Sequence, residues 1–172
     1  MFKDYKDSKK SSPRFKKNFI RYVLGNYSRQ EMTDYFRELS VGNVILFNYA
    51  LKYPQRMKYF DVFPLIIVVG LWEEGFYGVN IHYMRKRIRT LFFKNLKKGK
   101  LIYPSYCFHK YLYGGCSNIF LKLKEEDYIK VASFPLESFF SYENGRFFSH
   151  KRETAWNYWE SIKYKTYRID VK

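Results

Sequence analysis

The residues best suited to ligate a metal or attack a substrate are Cys107, Cys116, His82, His109 and His150. A zinc site wants its ligands in tight pairs, C-x₂₋₄-C or H-x₃₋₅-H. Cys107 and Cys116 stand nine positions apart, flank His109 and have no second pair. The spacing predicts buried thiols, with no metal and no other cofactor. Asp61, Glu73 and Glu74 are the carboxylates nearest the apolar segments and could serve as acids or bases beside a histidine. Yet there is no nucleophile elbow, no phosphate-cradling glycine loop and no H-E-x-x-H. The expectation is a protein that is not an enzyme and has no catalytic residues. His82 is expected at a strand end, sharing a hydrogen bond. Asp61 is expected in a tight turn before Pro64, accepting backbone N–H groups.

The other chemistry the sequence offers is charge. Lys and Arg total 32 against 16 Asp and Glu, a net charge of +16. Such an excess repels itself, and an anionic partner relieves it. The sharpest block is Arg85–Lys100, with eight basic residues and no acidic one. A second lies in residues 1–21, where eight Lys and Arg face two Asp. The candidate contacts to a polyanion or an acidic protein are Lys9, Lys10, Arg14, Lys16 and Lys17 in the arm. In the block they are Arg85, Lys86, Arg87, Arg89, Lys97 and Lys98. Interleaved tyrosines and phenylalanines could stack on unpaired bases. No zinc-finger spacing, RNP aromatic signature or G-x-x-G loop is present, so no base-reading module is indicated.

Those residues need a frame. With 172 residues, 47% of them hydrophobic, the chain can build one core. Aromatics reach 22%, so that core must be largely aromatic. Residues 1–20 read as a flexible basic arm and 21–172 as a single domain. Its β core is expected at about 42–84 and a helical part at about 85–172. Ser28 with Glu31 has capping-box spacing before a helix over 29–39. Strands are expected at 44–49, 59–63, 65–69 and 76–83, with Gly75 and Gly78 as bend points. Helical spacing returns over 84–96, where Ile88, Leu91, Phe92 and Leu96 share a face and Gly99 stops the run. Residues 106–112 and 135–139 read as helical, 119–123 as a strand, 125–131 as a helical turn and Asn144-Gly145 as a turn. From Lys151 the tail reads as a docking helix or an outward arm. The most apolar run, Val62–Leu71, is ten residues and holds Pro64, far short of the roughly 20 needed to span a membrane. No membrane association is therefore expected. The fold class is α+β: a small SH3-like β-barrel or curled antiparallel sheet with flanking helices and an extended basic arm.

Two segments, K-Y-F-D-V-F-P-L at 58–65 and G-F-Y-G-V-N-I-H-Y at 75–83, resemble motifs of a family of small proteins of T4-like tailed phages. Weaker matches follow at Lys110-Tyr111-Leu112, at Phe134–Phe139 and at Ala155-Trp156 with Glu160-Ser161, so the resemblance covers roughly 42–162. The chain departs from the pattern at Met57-Lys58, where the family has Leu-Pro, and at Phe60, which replaces a second Tyr. The resemblance implies a virion-associated or genome-handling role. On this basis the chain is expected to be a structural virion protein, docked in a baseplate, tail or neck as part of a large hetero-oligomer assembled in the host cytoplasm. Its partners would be other virion proteins, with Trp72, Trp156 and Trp159 as docking aromatics. The alternative is a basic DNA-binding accessory, or a protein that protects DNA ends.

Overall fold

The computed structural model describes residues 39–171. The basic arm, with Lys9, Lys10, Arg14, Lys16 and Lys17, and the helix expected at 29–39 (all but its last residue) lie outside the described residues.

The first strand, β1 (Val44–Tyr49), carries large side chains on both sides because both sides are buried. Val44 and Leu46 enter the main core, while Ile45, Phe47 and Tyr49 enter a second cluster with Ile66, Val68, Phe76 and Tyr111. The chain then makes one turn at Pro54–Arg56, where Pro54 presets the backbone of the first position. A short β2 (Phe60–Asp61) follows, then β3 (Leu65–Trp72) and β4 (Gly75–Asn80). Helix α1 (Lys86–Leu96) leads into β5 (Lys100–Pro104), β6 (Phe108–Leu112) and β7 (Cys116–Lys122). Helix α2 (Tyr128–Ser133), the hairpin β8 (Phe139–Glu143) and β9 (Arg146–His150), helix α3 (Arg152–Ser161) and β10 (Thr166–Asp170) complete the described chain. The β8–β9 turn is at Asn144 and Gly145, both at positive φ, as a two-residue hairpin loop requires.

The main sheet has the order β6-β4-β3-β1-β7 and every pairing is antiparallel. A three-stranded sheet, β2-β8-β9, and a ribbon, β5-β10, pack beside it. Two strands separate β1 from β6, so on a flat sheet they would be about 14 Å apart at the usual strand spacing. Instead the Tyr49 and Tyr111 rings lie 5.0 Å apart, and the Tyr49 hydroxyl accepts from the Leu112 N–H at 3.1 Å. The sheet is therefore strongly curled around its aromatic cluster. Register shifts between Val68 and Gly70 and between Phe47 and Tyr49 supply local bends. Close approach fixes Gly75, since a Cβ there would collide with the Tyr111 carbonyl.

The α+β class with antiparallel sheets is what forms, and the curled-sheet expectation describes it. β6 and β7 remain edges, so no closed barrel forms among the described residues. The region after residue 85 holds all three described helices but also six strands, two of which extend the main sheet. Residues 105–112 make a single turn and then β6, not a helix, because Tyr111 is held in the aromatic cluster by pairing with Phe76. The run 135–139 ends in β8, because Phe139 pairs with Asp61. Among the described residues no helix is long and apolar enough to cross a membrane.

Helix α1 is rotated relative to its apolar pattern. Ile88 and Leu91 are exposed, whereas Arg89, Phe92 and Phe93 are buried. The reason is that Arg89 finds four partners in the interior. It pairs with Glu137 and donates to the carbonyls of Met84, Ala132 and His82. A buried cation with that many partners is tolerated where an unpaired one is not.

Candidate nucleic-acid interface

The two segments that carry the family resemblance meet inside the protein. Asp61 from the first and His82 from the second are completely buried, with Asp61 Oδ2 and His82 Nδ1 2.7 Å apart. Asp61 Oδ1 accepts from the Phe63 and Ser138 N–H groups at 3.0 and 3.2 Å, the turn role its position before Pro64 predicts. The His82 carbonyl accepts from Arg89 and from the Trp156 indole at 3.0 and 2.9 Å. Glu137, within the 134–139 match, closes the set through Arg89. These groups tie β2, the turn before α1, the segment before β8 and α3 together. Asp61 also borders the cavity described next, and the role of the set as a whole is structural.

A cavity of about 600 Å³ opens where the curled sheet meets the 50–57 connection. Its polar lining includes Asn80, Tyr83, His109 and Tyr111, with Asn80 Nδ2 donating to the Tyr111 hydroxyl at 3.2 Å. His109 lies 4.5 Å from the Tyr83 ring, and burial pushes its imidazole down to about 4, so it is neutral at ordinary pH. Its Nε2 and the Trp72 Nε1 are both buried and find no hydrogen-bond partner among the described residues. The rim carries Lys52, Tyr53, Arg56, Trp72, Glu74 and Lys110. Arg56 and Lys52 lie over the Tyr53 ring at 4.8 and 5.5 Å, and Lys110 lies 3.6 Å from the Trp72 ring centre. Among the described residues none of these three cations has a carboxylate within ion-pair distance. A second cavity of about 440 Å³ adjoins it, sharing Leu51, Lys52, Glu74 and Leu112.

The candidate contacts of the Arg85–Lys100 block divide. Lys86, Arg87, Lys97 and Lys98 are exposed on or just beyond α1. Arg85 is held by Glu160 at 2.8 Å and by Asn157 at 2.6 Å, which clamps α1 to α3 and raises the guanidinium further. Arg89 is fully buried and leaves the set of surface contacts, for the reason given above. Two of the three docking tryptophans are also core. Trp156 and Trp159 are 5% and 4% exposed, the first hydrogen-bonded to His82 and the second stacked 3.9 Å from Tyr83. Trp72 alone of the three sits at an opening. Cys107 is fully buried and its thiol lies far above the ordinary range, while Cys116 is pushed up to about 12. Burial is the main cause in both, so neither thiol is a nucleophile at neutral pH. Cys107, His109 and Cys116 form no cluster of three potential ligands among the described residues.

Sequence reading missed Lys52, Tyr53, Arg56 and Lys110. The signal was present in Lys52-Tyr53-Pro54-Gln55-Arg56, where two cations flank an aromatic at a proline turn. Lys110 could not be found this way, because only the pairing of β6 with β4 brings it to Trp72.

Residues 8–105 match the family model of the phage T4 terminal DNA protecting protein. No curated protein and no solved structure matches the chain. The matched family is named for protecting DNA ends and not for building a tail. It overturns the baseplate, tail or neck docking role expected above and supports the alternative stated beside it.

Proposed function

The chain belongs to the phage T4 terminal DNA protecting protein family, and from that membership we propose that it binds the ends of linear phage DNA in the host cytoplasm and shields them. It works by occupancy, without turning over a substrate. The observation that carries the reading is the cavity mouth, where three cations without carboxylate partners among the described residues surround two accessible aromatic rings. Such a combination attracts phosphate through charge and counterion release, and presents flat faces to bases. The exposed cations Lys86, Arg87, Lys97 and Lys98, on or just beyond α1, add general attraction to DNA. They do so without distinguishing an end from the middle of a duplex.

The test is digestion of linear duplex DNA by an end-dependent exonuclease, with and without the purified protein. Protection at concentrations that saturate the ends is expected, and a steep loss of protection as salt rises. Digestion at an unchanged rate on DNA that the protein demonstrably occupies overturns the reading.

A further inference from the structure

We propose that the 600 Å³ cavity seats a single unpaired nucleotide at the DNA terminus, with its base against Tyr53 and Trp72 and its phosphate against Lys52 and Arg56. This rests on the end-binding reading and adds to it a ligand and a place.

Size is the first argument. The cavity lies within the ~300–1,000 Å³ of ordinary small-molecule sites. A duplex, whose major groove alone is about 12 Å wide, does not enter it. An end that uses this site must therefore present a strand that has left its partner.

The second argument is the lining. The Trp72 indole N–H is a donor only, and it is buried without an acceptor among the described residues. His109 is held neutral by burial, and its Nε2 is likewise without a partner. Buried polar atoms in native proteins are nearly always satisfied. A base edge carries ring nitrogens, carbonyls and amino groups of the kind that pair with an indole N–H or a neutral imidazole nitrogen. Around these atoms the walls are aromatic, which is how single strands are held without regard to sequence.

Charge supplies the third. Lys52 and Arg56 lie over the face of Tyr53, and Lys110 over the face of Trp72. Such cation–ring contacts are weak at exposed sites, so an entering base can displace the side chains, which are long enough to turn toward its phosphate. Glu74 is the exposed carboxylate at the rim and repels phosphate, which directs the backbone toward Lys52 and Arg56. Glu74 is left free to accept from an exocyclic amino group.

The experiment uses the full chain and four duplexes identical but for one end: blunt, with a one-nucleotide overhang, with a four-nucleotide overhang, or closed by a hairpin loop. The terminal unpaired base is replaced by 2-aminopurine in a parallel set. Both overhang duplexes are expected to bind about tenfold tighter than the blunt one, as stacking of one base on an aromatic surface implies. The probe is expected to be quenched on binding. Tyr53 is exposed, so Tyr53→Ala is expected to fold normally, which a thermal melt checks. In that variant the overhang-to-blunt ratio should fall to about one and quenching should be lost. Open ends bound no better than the hairpin-closed end would sink the end-binding reading and this proposal with it. A preference for open ends without an overhang preference, or quenching that Tyr53→Ala leaves intact, overturns the pocket assignment alone.

Discussion

In the buried network Arg89 meets one carboxylate and three carbonyls; at the cavity rim Lys52, Arg56 and Lys110 meet aromatic rings and, among the described residues, no carboxylate. Both regions combine cations, aromatics and a histidine. Burial with dense pairing, which leaves His82 Nε2 without a hydrogen-bond partner among the described residues, makes the first a set of fixed joints between β2, α1, α3 and the segment before β8. Exposure without anionic partners leaves the second able to exchange its contacts for a ligand's. The segments that carry the family resemblance, at 58–65 and 75–83, converge on the joints through Asp61 and His82, and they also line the floor of the cavity through Phe60, Asn80 and Tyr83. The rim residues to which we assign the DNA contact, such as Lys52 and Tyr53, lie outside those two segments.

If this division is right, the two regions respond oppositely to substitution. The largest effect on stability is expected from Arg89→Leu, which leaves Glu137 buried without its main partner. A loss of about 3–5 kcal/mol is expected in denaturant unfolding. The double variant Arg89→Leu with Glu137→Leu should recover much of it, because the uncompensated charge is then gone. A single variant as stable as the parent would break the comparison on the buried side. Asp61→Ala should cost a comparable amount, since it strips an acceptor from His82 and from two backbone N–H groups.

Acid sharpens the same contrast. Burial favours the neutral form of His109, so between about pH 6.5 and about pH 4 the unfolded chain binds a proton that the folded one does not. The stability this group contributes is complete above about 6.5 and is lost as the pH falls toward 4. The limiting slope is about 1.4 kcal/mol per pH unit. His109→Asn should flatten part of that slope in melts between pH 7 and 4.5. His150 is also shifted down by burial and adds to the slope in the same direction. A smaller effect, about 1 kcal/mol, is expected from Trp156→Phe, which removes the donor to the His82 carbonyl.

Much of the fold was legible because it depends on local pattern. The Asn144-Gly145 turn, β1, β3 and the existence of α1 follow from turn chemistry and apolar spacing. What failed was non-local. The rotation of α1 depends on Glu137, 48 positions from Arg89 in the chain, and the strand at 108–112 depends on pairing with β4. Trp156 and Trp159 read as docking groups, since nothing near them in sequence shows that Tyr83 and His82 receive them. The site was less legible than the fold. Half of its rim is a short proline turn that looks like an ordinary polar connection, and the other half arrives only when the sheet curls.

The central claim is that the unpaired cations at the cavity mouth handle the DNA end while the buried network holds the fold. Its most direct test is the triple variant Lys52→Ala, Arg56→Ala, Lys110→Ala, followed by thermal melting and by titration onto open-ended duplex at several salt concentrations. The account predicts a stability within about 0.5 kcal/mol of the parent. End affinity should fall at least roughly tenfold, and the log–log salt slope should become shallower by up to about 2.7. A variant that binds DNA ends with the parent's affinity and the parent's salt slope would contradict it.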